Sequence, residues 1–288
     1  MAAPHHIDIA GVAVPTFLYG TAWKEEATES LVERAITEGF RGLDTANQRK
    51  HYDEAAVGRA LATLFRRGSV RRADLFVQTK FTFLGGQDHR LPYDAGAPVH
   101  EQVAQSFRSS LEHLGVDHLD AYLLHGPSQR IGLGDADLQA WAAMEALHDA
   151  GGVRLIGVSN VSPRQLRALY EAAGIKPALV QNRCYARTGW DAAVRTFCAE
   201  HGIGYQGFSL LTANLRELAD PTVRTIAERH GRTPAQVVFR FALHAGMLPL
   251  TGTTSAPHMR TDLEALDFDL EPHEVERIER IATEEPLD

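Results

Sequence analysis

The sequence is poor in cysteine and has no long apolar run. It contains two cysteines, Cys184 and Cys198, among 288 residues. A chain of this length buries about three quarters of its unfolded surface and needs no disulfide bonds, so we expect two reduced, buried thiols. No stretch reaches the roughly 18 apolar residues that a membrane helix requires. The N-terminus also has no basic segment followed by an apolar one, so the sequence predicts a cytoplasmic protein without a signal peptide.

The sequence also lacks an excess of positive charge, and it lacks the short motifs of several enzyme classes. The net charge is −8, which gives no support for a nucleic-acid or membrane partner. No Gly-x-Gly-x-x-Gly run follows the first predicted strand, although an open dinucleotide-binding sheet usually has one there. There is also no quartet of metal ligands and no serine on a Gly-x-Ser-x-Gly turn. We therefore expect neither a metal centre nor a serine hydrolase.

What the sequence does have is a regular alternation of strand and helix patterns. Residues 6–21 alternate around Gly11 and predict a small β-hairpin, followed by a first strand near Phe17 to Tyr19. This strand begins the first of eight units, each a strand followed by a helix and each roughly 30–36 residues long. Such alternation indicates parallel strands covered by helices, and eight units fit a closed barrel of the usual ~250 residues. We therefore predict one α/β domain over residues 1–288, a (β/α)8 TIM barrel with a short N-terminal β-hairpin. An open, doubly wound sheet is the alternative.

Polar side chains lie at or just after the C-terminal ends of six predicted strands, whereas most of the opposite junctions hold glycine. In a parallel barrel the C-terminal strand ends meet at one face, where the reacting groups lie. The sequence therefore predicts a shared pocket at this face. The polar residues are Asp44, Lys80, His125, Ser159 with Asn160, Gln181 and Ser209.

These side chains predict acid–base chemistry on a carbonyl group. Lys80 within reach of Asp44 would form a buried ion pair in which both groups stay charged. An ammonium stabilises a nearby phenolate, so we expect the pKa of Tyr52 to fall from about 10 and Tyr52 to donate a proton to an alkoxide. His125 would hydrogen-bond and orient the carbonyl. A Schiff base on Lys80, as in barrel lyases, is an alternative; a partner carboxylate that keeps the lysine protonated counts against it.

Several motifs, in chain order, resemble the aldo-keto reductase superfamily. The resemblance extends from about Thr16 to Phe268. It implies a (β/α)8 barrel that binds NADPH at its C-terminal mouth and reduces an aldehyde or ketone, a small-molecule carbonyl substrate, to an alcohol. We expect a monomer. The motifs are Gly39-Phe-Arg-Gly-Leu-Asp-Thr-Ala46, Glu54 to Gly58, Thr79-Lys80, Leu123-Leu-His-Gly-Pro127, Gly157-Val-Ser-Asn160 and Gln181.

The resemblance also implies roles for individual residues. In the coenzyme set, Ser159, Asn160 and Gln181 would bind the carboxamide of the nicotinamide, and Phe208 would stack on its ring. The catalytic tetrad would be Asp44, Tyr52, Lys80 and His125. The coenzyme set would be Thr21, Asp44, Ser159, Asn160, Gln181, Phe208, Ser209, Leu211, Gly252, Thr253, Thr254, His258 and Asp262. The substrate set would be Trp23, Phe81, Phe83, Tyr93 and His125.

The tyrosine departs from the family pattern. Members commonly carry it five residues after the aspartate and three before the glutamate, whereas Tyr52 follows Asp44 by eight residues and precedes Glu54 by two. His51 stands at the usual distance from Glu54. We assign the proton donor to Tyr52, because only a phenol would gain acidity from the lysine, and we keep His51 as the alternative.

The region that binds the coenzyme's 2′-phosphate in the family departs from the pattern too. An ungapped alignment places Gly252 on the family's lysine, His258 on its arginine and Asp262 on its asparagine, so two cations are missing. The turn from Gly252 to Ser255 before a helix can still offer backbone N–H groups to a phosphate, and Arg260 is close by. We expect NADPH as the coenzyme, with NADH possible.

A second class of function is a regulatory subunit that binds NADPH without catalysis. The intact Asp44, Lys80 and His125 disfavour this interpretation. Gly126 stands where many members carry tryptophan after the histidine, so we expect a wider substrate mouth.

Overall fold

The N-terminal part of the chain forms the hairpin that the sequence predicts. In the computed structural model, which describes residues 5–282, strands β1 (His6–Ile9) and β2 (Val12–Pro15) pair in the antiparallel direction. Ala10 and Gly11 join them with φ of 50° and 79°, and two positive φ values are the mark of a type I′ hairpin turn. Apolar side chains of the hairpin pack with those inside the barrel. The hairpin therefore covers the N-terminal end of the barrel.

Within the described chain, eight parallel strands close into a barrel. The strands are β3 (Leu18–Gly20), β4 (Gly42–Asp44), β5 (Phe76–Phe81), β6 (Leu119–Leu124), β7 (Val153–Ser159), β8 (Leu179–Arg183), β9 (Gly204–Phe208) and β10 (Met247–Thr251). They neighbour one another in the order β10-β3-β4-β5-β6-β7-β8-β9. Closure comes from β10 pairing with β3, where Leu250 lies opposite Leu18. The predicted (β/α)8 barrel is confirmed, and the open sheet is excluded.

Helices follow the strands and cover the outside of the barrel. They are α1 (Thr28–Glu38), α2 (Glu54–Arg66), α3 (Val99–Leu114), α4 (Asp135–Asp149), α5 (Pro163–Ala172), α6 (Ala192–Glu200), α7 (Leu215–Leu218), α8 (Pro221–His230), α9 (Pro234–His244), α10 (Ala256–Leu263) and α11 (Pro272–Arg280). The predicted break near Pro234 is present. Gly231 ends α8 in the left-handed conformation, and the Thr233 hydroxyl caps α9, as glycine and threonine commonly do. None of the helices within residues 5–282 has both the length and the apolar character of a membrane span.

The interior of the barrel changes from apolar to polar towards the C-terminal ends of the strands. Along β5, Phe76 joins the apolar cluster inside the barrel, whereas Gln78 and Lys80 contact Asp44 above it. Thr79 points the other way and donates a hydrogen bond to Glu54 of α2. This follows from the alternation of side chains along a strand. Apolar packing below thus supports a polar layer at the mouth.

Both cysteines are free and buried, as predicted. Burial raises the pKa of Cys184 and of Cys198 to about 12. Because the thiolate is the reactive form of cysteine, neither thiol is a nucleophile at neutral pH.

Gly58 lies at the contact between α2 and α3. A Cβ at this position would overlap the main-chain carbonyl oxygen of His113, which cannot move unless α3 moves. We expect Gly58→Ala to lower the free energy of unfolding by about 3 kcal/mol, although alanine gains about 1 kcal/mol in helix propensity. Urea denaturation measures this difference. Gly96→Ala is the control, because a Cβ there meets nothing closer than 3.5 Å. A Gly58→Ala protein as stable as wild type would contradict the expected overlap.

Candidate active site

The C-terminal ends of the strands open into a cavity of about 1080 Å³. Lys80, at the end of β5, does not line this cavity: its side chain is 0% exposed and lies below the floor. The other polar residues predicted at this face do line it. They are Asp44, His125, Ser159, Asn160, Gln181 and Ser209. The barrel therefore brings the predicted polar residues together at one site.

Lys80 and Asp44 form the predicted buried ion pair. The Lys80 Nζ donates to Oδ1 of Asp44 at 2.6 Å and to the carbonyl oxygen of Thr45 at 2.8 Å. Burial lowers the pKa of Lys80, and the negative charges of Asp44 and Glu54 act in the opposite direction. The ammonium is thus held in place by one carboxylate and one carbonyl group.

Tyr52 lies beside this ion pair. The Lys80 Nζ is 5.5 Å from the centroid of the Tyr52 ring, and the centroids of the Tyr52 and His125 rings are 6.0 Å apart. Burial raises the pKa of Tyr52, and the negative charge of Asp44 raises it further. The expected fall in this pKa is therefore wrong. The reason is that loss of water penalises the phenolate, while Asp44 offsets the charge of the ammonium.

His51 lies against Trp23 at the mouth of the cavity. The centroids of the two rings are 3.8 Å apart, and the main-chain N–H of Trp23 donates to the carbonyl oxygen of His51 at 2.7 Å. The N–H groups of His51 and Tyr52 both donate to the carbonyl oxygen of Gln48. This tight turn accommodates the longer loop after β4. It directs the Tyr52 ring to Lys80 and the His51 ring to Trp23.

His125 is held in the neutral form by its surroundings. Burial and the positive charge of Lys80 lower the pKa of His125 to about 3. Its Nδ1 lies 2.7 Å from the Thr82 hydroxyl oxygen, and its carbonyl oxygen accepts a hydrogen bond from Asn160 Nδ2 at 2.7 Å. The ring is therefore anchored at Nδ1, and the other ring nitrogen, Nε2, is the one left for a ligand.

The ends of β7 and β9 carry two residues in left-handed conformations. Asn160 has φ of 54° and Ser209 has φ of 58°, values that are uncommon outside glycine and that cluster at functional sites. Ser159, next to Asn160, donates from its hydroxyl to the carbonyl oxygen of Gln181 at 2.6 Å. Hydrogen bonds between neighbouring strand ends thus hold this wall of the cavity.

Two members of the predicted coenzyme set do not line the cavity. Thr21 is fully buried, and both its N–H and its hydroxyl donate to the carbonyl oxygen of Asp44. Its role in the fold is to join the ends of β3 and β4. Thr254 is exposed outside the cavity. The remaining members line it: Asp44, Ser159, Asn160, Gln181, Phe208, Ser209, Leu211, Gly252, Thr253, His258 and Asp262.

Two members of the predicted substrate set also lie elsewhere. Phe81 is 0% exposed and faces the surrounding helices, because side chains alternate along β5 and Lys80 before it faces inward. Tyr93 packs on Phe81 with 5.6 Å between ring centroids, and its hydroxyl donates to the carbonyl oxygen of Thr82. These two rings support the loop after β5. The members that line the cavity are Trp23, Phe83 and His125.

The region around Gly252 has a different supply of positive charge from the one that the sequence suggested. Arg260 is paired with Glu38, with Nη1 3.0 Å from both carboxylate oxygens. Lys24, from the loop after β3, instead donates from Nζ to the carbonyl oxygen of Gly252. Nearby, burial raises the pKa of Asp262 to about 6. The cation closest to Gly252 therefore comes from the opposite end of the chain.

Several polar residues of the site were not in the predicted sets, and three of them contact predicted site residues. Thr82 contacts His125, and Gln78 and Gln206 belong to a buried network around Asp44. The alternation of β5 places Gln78 on the same face as Lys80, which is a signal that could have found it. The alternation of β9 likewise places Gln206 on the same face as Phe208.

Comparisons with known proteins identify the family of the chain. A sequence model of the Aldo/keto reductase family matches residues 16–283. An aldo-keto reductase of Mycobacterium avium (strain 104) is 34% identical over 255 residues, which are 88% of this chain and 81% of that protein. The glyoxal reductase of Bacillus subtilis (strain 168) is 30% identical over 279 residues, 96% of this chain and 91% of that protein. The crystal structure of a Bombyx mori aldo-keto reductase in complex with NADP has a TM-score of 0.80 and 25% identity, and covers 100% of this chain and 96% of that one. The chain therefore belongs to the aldo/keto reductase family of oxidoreductases.

Proposed function

We propose that the protein reduces an aldehyde or ketone to an alcohol with a nicotinamide coenzyme, and that Tyr52 is the general acid. The observation that carries this proposal is the position of Tyr52, next to the buried Lys80–Asp44 pair and to a neutral His125. Two of the relatives support it from outside: one is a glyoxal reductase, and the other was solved with NADP.

The residues of the cavity fit a nicotinamide coenzyme. Phe208 offers a ring face for stacking at the end of β9, and Gln181 offers an amide oxygen to a carboxamide. The turn from Gly252 onwards precedes α10, whose N-terminus can receive phosphate oxygens. When bound, the reduced coenzyme supplies the hydride.

His125 and Tyr52 divide the work on the carbonyl oxygen of the substrate. Neutral His125, held at Nδ1 by Thr82, donates a hydrogen bond from Nε2 and orients the carbonyl group. Tyr52 gives the same oxygen its proton. Its raised pKa keeps the proton on the phenol at working pH, and an alkoxide is a much stronger base than a phenolate, so the transfer is favourable. Lys80 stabilises the phenolate that remains, and Asp44 holds Lys80 in place.

We propose NADPH as the preferred coenzyme and NADH as a second one. His258 lines the cavity near Gly252, and Lys24 brings an ammonium to the carbonyl of Gly252. The Lys24 ammonium replaces part of the charge that the family supplies with its lysine and arginine. Since Arg260 is engaged with Glu38, we expect a modest preference for the phosphorylated coenzyme.

The two alternative functions are separable from this one. A Schiff base requires the Lys80 nitrogen to reach a substrate carbon, but this nitrogen lies below the cavity floor and is bonded to Asp44. A regulatory subunit would bind the coenzyme and turn over no substrate.

The test is an assay of reduced-coenzyme absorbance with NADPH or NADH against a dicarbonyl such as glyoxal, an aromatic aldehyde and a simple ketone. We expect turnover with at least one aldehyde and a higher kcat/KM with NADPH. Coenzyme binding without turnover of any carbonyl compound would support the regulatory alternative. Inactivation by borohydride that occurs only when the carbonyl substrate is present would support the Schiff-base alternative.

Thr82 is expected to act through His125. Thr82→Val removes the hydroxyl that holds Nδ1, so the ring is free to take the tautomer whose Nε2 has no proton. We expect kcat to fall about tenfold, the equivalent of one hydrogen bond, with little change in KM. Thr82→Ser keeps the hydroxyl and should restore most of the rate. Steady-state kinetics of both variants measure this, and a valine variant with unchanged kcat would exclude the role of Thr82.

A further inference from the structure

Three buried glutamines lie inside the barrel at the level of Asp44. Gln78 and Gln206 are 0% exposed, and Gln181 is 3% exposed. An amide removed from water costs free energy unless it is hydrogen-bonded, and here the three amides bond to one another and to Asp44. We call Gln78, Gln181 and Gln206 the glutamine network.

The glutamine network connects opposite walls of the barrel. Asp44 and Gln78 are neighbours on β4 and β5, and Gln181 and Gln206 are neighbours on β8 and β9. Across the interior, Gln181 Nε2 donates to Oδ1 of Asp44 at 2.9 Å, and Gln78 Nε2 donates to the Gln206 amide oxygen at 2.8 Å. Two pairs of adjacent strands are therefore joined through side chains alone.

Two acceptors orient the Gln181 amide, namely the Gln206 amide oxygen and the carboxylate of Asp44. The carboxylate only accepts hydrogen bonds, so the amide nitrogens of Gln78 and Gln181 must face it, at 2.6 and 2.9 Å. The same two nitrogens donate to Oε1 of Gln206 at 2.8 and 2.9 Å. Gln206 must therefore turn its oxygen towards both, and its nitrogen then donates to Oε1 of Gln78 at 2.9 Å. A reversed Gln78 or Gln181 would put its amide oxygen against the Asp44 carboxylate, and a reversed Gln206 would put its nitrogen against the nitrogens of Gln78 and Gln181.

This orientation leaves one free polar atom in the glutamine network that faces the cavity. Both N–H groups of Gln181 are used, on Asp44 and on Gln206. Among residues 5–282, no hydrogen-bond donor contacts Oε1 of Gln181, whereas Gln181 itself lines the cavity. An oxygen in this position accepts a hydrogen bond from an N–H group of a ligand.

We propose that Gln206 and Gln78 are positioning residues, which hold Gln181 with its amide oxygen towards the cavity and so make the site selective for a coenzyme that carries a carboxamide N–H. The inference rests on the proposed function. Gln206 does not line the cavity and acts only through Gln181 and Asp44. Without Gln206, Asp44 alone would hold the Gln181 amide through a single N–H group. The amide could then swing about that hydrogen bond and carry its oxygen away from the carboxamide.

The acetylpyridine analogue of NADP⁺ tests this directly. In this analogue a methyl ketone replaces the carboxamide, so the ring substituent has no N–H to donate. We expect wild type to bind NADP⁺ more tightly than the analogue. Gln206→Leu has a side chain of similar size without polar atoms. It should weaken NADP⁺ about tenfold and the analogue less than about twofold, since a single hydrogen bond is lost for NADP⁺ only.

The measurement is the Kd of each nucleotide by quenching of tryptophan fluorescence, together with the thermal midpoint of each protein without nucleotide. Gln102→Leu is the matched control. Gln102 is another buried glutamine, and its amide bonds to the carbonyl oxygen of Ala97 away from the cavity. The control should lose stability and keep the wild-type ratio of the two Kd values. Equal weakening of both nucleotides in Gln206→Leu, or an unchanged ratio, would overturn the inference.

A second variant keeps the test decisive if Gln206→Leu does not fold. Gln78→Leu leaves Gln206 bonded to Gln181 alone. It should therefore lower the ratio of the Kd of the analogue to the Kd of NADP⁺, as Gln206→Leu does, but by a smaller factor. An unchanged ratio would again overturn the inference. Coenzyme binding with the expected ratios but without carbonyl reduction would refute the proposed function and leave this inference standing. Failure of wild type to bind NADP⁺ would refute both.

Discussion

Tyr52→Phe is expected to abolish carbonyl reduction while coenzyme binding survives. The variant loses only the hydroxyl group, which is the proposed proton donor beside Lys80 and His125. General acid catalysis typically contributes a factor of 10²–10⁴, so we expect kcat to fall about 10³-fold. The ring remains, so the cavity wall keeps its shape, and the Kd of NADPH should stay within about twofold because no hydrogen bond to the coenzyme is removed.

His51→Gln is the control for this prediction, because His51 is the other residue of this loop that could transfer a proton. Its ring packs against Trp23 at the mouth, so the variant should alter KM for the carbonyl substrate and keep most of kcat. Steady-state kinetics and coenzyme titration of both variants make the comparison. If Tyr52→Phe retained turnover and His51→Gln lost it, the proton donor would be His51.

Lys80→Met is expected to damage both activity and stability. The charge that we propose to stabilise the Tyr52 phenolate is lost, and we expect kcat to fall by about 10³. Asp44 is left buried without its cation, which typically costs 3–5 kcal/mol. Two glutamine N–H groups still bond to Asp44, so we expect the free energy of unfolding to fall by about 3 kcal/mol, at the lower end of that range.

The double variant Asp44→Asn with Lys80→Met separates the two effects. It removes the unpaired charge, so stability should largely return while activity stays lost. Urea denaturation and steady-state kinetics measure the two quantities. Lys176→Met is the control, because Lys176 bonds to main-chain carbonyl groups of Tyr170 and Ala173 before the start of β8 and does not line the cavity. A fully stable and active Lys80→Met protein would show that the buried ion pair has no part in catalysis.

The lowered pKa of Lys80 also predicts an alkaline limit to activity. Burial favours the uncharged amine, so the cation is lost at a lower pH than the ordinary value of about 10.4. We therefore expect log kcat to fall as the pH rises, with the bend in the plot at a pH below about 10.4. The pKa of His125, about 3, predicts no inflection from this group between about pH 5 and 8.

The alternation of residues along the chain was sufficient to predict the barrel and most of its site. A strand that is buried on both faces reads as an apolar run, and a polar residue at its end is exceptional enough to be noticed. Asp44, Lys80 and Gln181 each stand at such a strand end, and a parallel barrel places all such ends on one face. The same rule, applied one residue further along β5, would have excluded Phe81 from the substrate set.

The loops were harder to predict, because loop residues follow no period. The spacing from Glu54 favoured His51 as the proton donor, whereas the chemistry of a phenol beside a lysine favoured Tyr52. In the structure, the main-chain N–H groups of His51 and Tyr52 both bond to Gln48, and this turn decides which ring reaches Lys80. The pKa of Tyr52 was predicted in the wrong direction for a related reason. Sequence can suggest that a cation is near a phenol, but the balance between that cation, Asp44 and the loss of water depends on burial in three dimensions.

The sequence by itself determined the barrel, its hairpin and the strand ends at which charged groups meet, because the period of two along each strand dictates which side chains face inward. Only the tertiary structure decided which loop side chain reaches the lysine, that Lys24 serves the turn at Gly252, and that Gln78 meets Gln206. Gln78 and Gln206 are 128 residues apart in the chain. Their contact exists because closure of the barrel brings β5 and β9 to face each other, and no local pattern encodes a distance across the interior.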